Sequence, residues 1–106
     1  MKGPRRSARE PGTQRREGAI ELAIAALTFL AADAERLGRF LALTGIAPAS
    51  LRAAAREPGF LLGVLDHLAA DEDLLVAFAQ ERGIDPPDVL QARDALADRP
   101  GDTGAA

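Results

Sequence analysis

A stretch of nineteen residues recurs within this chain of 106 residues, and it constrains the fold more than any other feature. Residues 30–48 read LAADAERLGRFLALTGIAP, and residues 68–86 read LAADEDLLVAFAQERGIDP, with nine identical positions at an offset of 38. Shared Leu and Ala carry little information in a chain rich in both. Shared Asp, Phe, Gly and Pro carry more, because each has a specific structural use.

These positions match the ends of helices. Asp suits an N-cap, where its carboxylate accepts amide hydrogens of the first helical turn. Gly followed by Ile suits a Schellman motif, with Gly in the left-handed position and Ile as the apolar contact. Pro suits the first position of the next helix, where its missing N–H is not needed. The matched pairs are Asp33 and Asp71, Gly45 and Gly83, Ile46 and Ile84, and Pro48 and Pro86.

The repeat predicts an all-α fold without a sheet, since no stretch alternates apolar and polar residues at period two. We expect six helices, roughly at residues 17–32, 34–44, 48–56, 58–70, 72–82 and 86–97. They form a compact bundle of two pseudo-symmetric three-helix repeats. The domain organisation is a basic flexible tail over 1–17, a single helical domain over 18–98, and a flexible C-terminal tail over 99–106.

Helical spacing predicts which faces are buried. In the second helix, Leu37, Phe40, Leu41 and Thr44 form one stripe, which leaves Arg36, Arg39 and Leu43 largely opposite. Residues 74–79 (LLVAFA) are apolar all round, as are nearly all of residues 19–32. Such helices are either central in the core or present an apolar face to a partner.

Charge is distributed unevenly along the chain. Residues 1–17 carry six bases against two acids, residues 18–57 balance, and residues 58–98 carry nine acids against two bases. There is no cysteine, which excludes disulfides and Cys-ligated zinc. The basic start and the apolar run after it resemble a signal peptide, but Leu27–Asp33 has a counterpart at Leu65–Asp71 within the repeat. We therefore expect a cytoplasmic protein that does not span a membrane.

Two features suggest nucleic-acid binding, and both have simpler explanations. The turn spacing fits a helix-turn-helix, but the second helix of one copy carries Asp88 and Asp94, which repel phosphate, and that of the other is mostly Ala. The basic tail has no interleaved aromatic residues, and its Pro and Gly favour disorder. The residues that match the helix-turn-helix spacing are Ala79, Gly83 and Val89 in one copy of the repeat, and Leu41, Gly45 and Leu51 in the other.

Catalytic chemistry is not indicated. His67 is the only histidine, and its position in the repeat is that of Phe29, which favours a partly buried packing role over a general base. The run Asp71-Glu72-Asp73 lacks the spacing of a calcium loop and suits the start of a helix. The sequence predicts a non-enzyme with no catalytic residue, no cofactor-binding residue, no cofactor and no metal ligand.

Residues 35–55 (ERLGRFLALTGIAPASLRAAA) and 58–79 (PGFLLGVLDHLAADEDLLVAFA) resemble DUF3572, a family of short alphaproteobacterial proteins of unknown function. The resemblance covers roughly Ala19–Leu96. It implies a helical fold and a bacterial origin, and it supplies no activity, ligand or site residue.

The leading hypothesis is a protein–protein interaction module or structural protein, with an unknown protein partner and a homodimer as one form of it. The alternative is a nucleic-acid-associated accessory protein that uses the basic N-terminal arm together with Arg36, Arg39, Arg52 and Arg56.

Overall fold

The computed structural model describes residues 11–97, with side chains from residue 14 onward, and within this range the chain is helical and contains no β-strand. The predicted all-α class is confirmed. The helices are α1 (Pro11–Ala31), α2 (Ala34–Thr44), α3 (Leu51–Ala54), α4 (Pro58–Ala69), α5 (Glu72–Arg82) and α6 (Pro86–Ala97), and a 3-10 helix (Pro48–Ser50) precedes α3.

The core forms where α1, α4 and α6 pack against one another, with α2 lying on α1 and α5 lying on α4 and α6. Helix α1 contributes small residues spaced three or four apart, so a single stripe of the helix is buried. Small side chains on α6 allow the two helices to pack closely. The buried stripe of α1 includes Ala19, Ala23, Ala26 and Leu30, and that of α6 is Val89, Ala92, Ala95 and Leu96.

Both predicted N-caps are confirmed. The Asp33 carboxylate accepts hydrogen bonds from the amides of Glu35 (2.9 Å) and Arg36 (3.2 Å). The Asp71 carboxylate accepts one from the amide of Leu74 at 3.2 Å. Each Asp therefore satisfies amides that the first turn of its helix leaves without a partner.

The helix end at Gly83 is the predicted Schellman motif. Gly83 has φ of 72°, in the left-handed region. Its amide donates to the Gln80 carbonyl at 3.2 Å, and the Ile84 amide donates to the Ala79 carbonyl at 2.9 Å, which is the bond pair of that motif. Ile84 packs against the core.

The helix end at Gly45 differs from the prediction. Gly45 is left-handed, with φ of 76°, but its amide donates to the Leu41 carbonyl at 2.8 Å, the single bond of the simpler αL motif. The Ile46 amide donates instead to the Thr44 hydroxyl at 3.4 Å. Since Arg82 stands at the equivalent position before Gly83, only the first repeat has this hydroxyl as an acceptor.

The first helix begins at Pro11 rather than near residue 17, so residues 11–17 of the predicted tail are helical. Proline suits a first helical position, and the Arg16 guanidinium donates to the Leu96 carbonyl of α6 at 3.4 Å. Residues 1–10 and 98–106, where flexible tails are predicted, lie outside the described residues. No helix between residues 11 and 97 combines the length and apolar content that a membrane crossing requires.

The third predicted helix, at residues 48–56, is shorter than expected. It consists of the 3-10 helix and the four residues of α3, whereas its counterpart α6 has twelve residues. Pro58 explains the difference, because a proline disfavours helical backbone at the preceding residue. Glu57 is extended (φ −96°, ψ 121°). Leu96 stands at the equivalent position of the second repeat, so α6 continues.

The stripe predicted for α2 is only partly confirmed. Phe40 is fully buried, Leu37 and Leu41 are half-buried, and Thr44 is exposed. The assignment of Arg36 to the opposite face is wrong. Its side chain is half-buried and its guanidinium carbon lies 4.5 Å from the centre of the Phe29 ring, a cation–π contact that covers an apolar ring with a planar cation.

Ring contacts in the core follow the 38-residue offset. Phe29 contacts Phe78, with ring centres 5.3 Å apart, and His67 contacts Phe40 at 5.1 Å. His67 lies 38 positions after Phe29, and Phe40 lies 38 positions before Phe78, so the two pairs occupy equivalent positions of the repeat. Each pair joins one ring from each half, so the two halves share their aromatic residues in one core.

Candidate interaction surface

His67 lies on α4 as a half-buried ring rather than as part of a polar cluster. Its imidazole meets Phe40 edge to face, with the ring planes at 71°. Burial lowers the pKa of His67 below its ordinary value of 6.5; Asp71 opposes that shift, and Arg39 adds to it. The neutral ring is therefore the favoured form, as suits a side chain packed against an aromatic ring.

This environment predicts a pH-dependent contribution to stability. The unfolded chain holds the His67 proton more tightly than the folded chain, so the contribution of His67 is complete above pH 6.5. It decreases as the pH falls towards the lower pKa of the folded state. We expect His67→Phe, which introduces the residue of the matching position 29, to lose this dependence. Thermal melts of both proteins between pH 7.5 and 5 test this, because all other titrating groups are shared. Parallel melting curves over that range would contradict the assignment.

The two capped helix starts meet at an open cleft of about 350 Å³. Its lining follows the repeat, since Asp33 and Asp71, Glu35 and Asp73, and Arg36 and Leu74 are pairs at the 38-residue offset. The cap oxygens already accept backbone hydrogen bonds, and Arg36 covers a ring. Among the described residues no polar or charged side chain is buried. The cleft is a polar junction between the halves, without a preformed ligand site.

The acidic run at the start of α5 is distributed around a helix end. Asp71 is the cap, and Glu72 and Asp73 lie in the first turn, where the helix dipole favours negative charge. No group of three or more His, Cys, Asp or Glu residues between positions 14 and 97 is arranged to hold a metal ion. The absence of catalytic, cofactor and metal residues stays a prediction.

The helix-turn-helix spacing at α5 and α6 corresponds to packing. Ala79 and Val89 are buried on either side of the Gly83 turn. Arg93, which lies on the second helix of this candidate motif, contacts two carboxylates. Its Nε lies 3.7 Å from Asp66 and its Nη2 lies 3.5 Å from Asp94. The geometry therefore favours the structural interpretation of this turn.

A different region of the described chain contributes no buried side chain to the core. No residue from 41 to 60 is buried, although this stretch includes the end of α2, the 3-10 helix and α3. We call residues 41–57 the exposed segment. Leu43 has 70% of its surface exposed, the largest value among the exposed large hydrophobic residues. Arg52 is the single charged residue between Arg39 and Arg56. A surface this low in charge is unusual for a part of the chain that does not enter the core.

The second repeat shows what the exposed segment lacks. The equivalent residues 79–95 carry four buried side chains, and α6 packs along α1 and α4. In the exposed segment, Leu51 and Ala55 touch the core only from its edge, and α3 packs mainly on the adjacent 3-10 helix. Shortening of the third helix by Pro58 therefore leaves apolar residues on the surface.

The apolar surfaces suggested by sequence are mostly internal. Of residues 74–79, only Val76 is exposed, at 36%, and most apolar side chains of 19–32 face the core, with Ile24 exposed at 44%. The central-core alternative is therefore the one the structure shows. The exposed segment was missed as a surface, although its low charge and the proline that ends it were visible in the sequence.

These features describe a small all-α domain in which the two copies of the sequence repeat are buried to different extents. The family DUF3572, described as protein of unknown function, matches residues 16–99, and the chain belongs to this family. Searches of curated proteins and of solved structures found no match.

Proposed function

We propose that this chain is a non-catalytic protein-interaction module and that the exposed segment, residues 41–57, is its binding surface. The observation that supports this is the contrast between the two repeats. The same stretch carries four buried side chains in the second half and none in the first. A partner helix or loop that covers the exposed segment would provide the packing that α6 provides in its own half.

The energetics favour a partner at this position. Full burial of a leucine side chain contributes about 1.5–3 kcal/mol, and 70% of Leu43 is available for burial. Half-buried Ile46 and Leu51 lie nearby along the segment. Since Arg52 is the only charge among residues 41–55, binding there removes few charges from water and carries a small desolvation cost.

The nucleic-acid alternative has less support from the described residues. Arg36 covers Phe29 rather than facing outward, although Arg39, Arg52 and Arg56 are exposed. Most of the basic arm lies in residues 1–10. We keep the cytoplasm as the proposed compartment, on the argument that the apolar run of α1 is part of the repeated fold.

Affinity capture from cells of the native organism, with quantitative mass spectrometry, tests the proposed surface. We expect Leu43→Gln to lose at least one partner that the unchanged chain retains after nuclease treatment. Ile24→Gln is the matched control, because it makes the same polarity change at another exposed aliphatic residue. Surface substitutions of this kind alter the free energy of unfolding by about 0.5 kcal/mol or less, so both variants stay folded.

Three results would contradict the proposal. One is a set of partners that Leu43→Gln leaves unchanged, and another is a set that only Ile24→Gln removes. The third is capture that disappears on nuclease treatment, which would favour the nucleic-acid alternative.

A further inference from the structure

We propose that the partner of the exposed segment is the acidic surface of α5 and α6 in a second copy of this chain, and that two copies form a closed dimer. This inference rests on the proposed function and specifies its partner. In the dimer, the first half of each copy faces the second half of the other.

Charge complementarity is the first support. The exposed segment, residues 41–57, has Arg52 and Arg56 against Glu57, a net charge of +1. From residue 72 to residue 94 it has six acids and two arginines, a net charge of −4. Opposite fields of this kind steer two copies together and set their orientation. The acids are Glu72, Asp73, Glu81, Asp85, Asp88 and Asp94.

Arg39 lines the same cleft as Asp71 and Asp73 of its own chain, whereas Arg52 and Arg56 lie away from this cleft. Arg93 of α6 forms two ion pairs, one with Asp66 of α4 and one with the adjacent Asp94. Arg52 and Arg56 are exposed and form no ion pair with a described carboxylate. Their charges are therefore available to a carboxylate of a second copy.

Exposed aliphatic residues accompany both surfaces. Leu43 lies on the exposed segment, while Val76 of α5 and Leu90 of α6 are each 36% exposed on the helices that carry the acidic residues. Only Ile24 of the four exposed large hydrophobic residues belongs to neither surface. Apolar contact with a charged rim is the usual composition of a specific interface.

The repeat favours a closed dimer. Arg56 and Asp94 occupy equivalent positions of the two halves and have opposite charges. A two-fold axis between copies makes two identical contacts, each pairing the exposed segment of one chain with the acidic surface of the other. Closure by this axis limits the assembly to two chains.

Sedimentation velocity of the full chain and of two charge-reversal variants tests the proposal. The first variant is Arg52→Glu with Arg56→Glu, and the second is Glu81→Arg with Asp94→Arg. We expect the unchanged chain to pass from the 11.1 kDa monomer to a species of twice that mass as concentration rises. Each variant alone should raise the dissociation constant of the dimer at least about a hundredfold, because like charges then face each other.

The decisive sample is the equimolar mixture of the two variants, both checked for an unchanged helical circular dichroism spectrum. Each contact of the mixed dimer again joins opposite charges, so we expect the mixture to dimerise and high salt to dissociate it.

A mixture that stays monomeric, or an unchanged chain that stays monomeric, overturns the dimer. If Leu43→Gln still loses a captured partner in that case, the proposed function stands with a different partner. If Leu43→Gln dimerises as tightly as the unchanged chain, the assignment of the exposed segment to the dimer is wrong.

Discussion

Phe78→Ala is expected to lower the free energy of unfolding by about 3–5 kcal/mol, the usual cost of removing a fully buried aromatic ring. Phe78 has no exposed surface and contacts Phe29 across the two halves. The surrounding helices cannot close the resulting cavity without moving α5 against the core. Since small domains are stable by about 5–15 kcal/mol, the loss should be obvious in chemical denaturation followed by circular dichroism.

Phe60→Ala is the matched comparison for this prediction. Phe60 also touches a buried ring, with its centre 5.7 Å from that of Phe40, but it is only half-buried. Its loss should therefore cost clearly less than that of Phe78. Equal losses for the two variants would show that Phe78 is not at the centre of the core.

Gly83→Val is expected to cost about 2–3 kcal/mol, because a β-branched residue tolerates positive φ poorly. A Cβ at Gly83 would meet no atom within 4 Å, so the cost arises from the backbone rather than from a clash. The Schellman bonds and the packing of Ile84 hold this turn in place, and the chain cannot relieve the strain by shifting.

Gly45→Val provides the control for Gly83→Val, since Gly45 has nearly the same φ and equally open space. No residue from 46 to 60 is buried, so less packing opposes a shift of the chain after Gly45. We therefore expect a smaller loss of unfolding free energy at Gly45, measured in the same denaturation experiment. A larger loss at Gly45 would mean that the exposed segment is held more firmly than its packing indicates.

Sequence reasoning was most successful where one residue type has one structural use. Asp before a helix and Gly after it located the ends of α2 and α5, because few other residues satisfy a free amide or adopt positive φ. The pairing of Phe29 with Phe78 was not predicted. The spacing of a repeat shows which residues are equivalent. It does not show which residue of the other half each of them contacts.

The errors arose where long-range packing decides the outcome. Near the start of α1, Arg16 contacts α6, and Arg36 faces inward onto the ring of Phe29. Neither neighbour is close in sequence. For the candidate surface, the two halves look alike along residues 30–48 and 68–86, and the difference arises only at Pro58. Its effect on packing required the arrangement of the helices.

The exchange of rings between the halves has a consequence for how the chain unfolds. Phe29 depends on the second repeat for its ring partner, and Phe40 packs on His67 of that repeat. Opening either half exposes aromatic surface in both, so neither half is an autonomous folding unit. The exposed segment contributes no buried residue to this shared unit, so we expect hydrogen exchange there to be set by local opening rather than by global unfolding. This chain therefore combines an all-or-none core with a region that can reorganise without disturbing it.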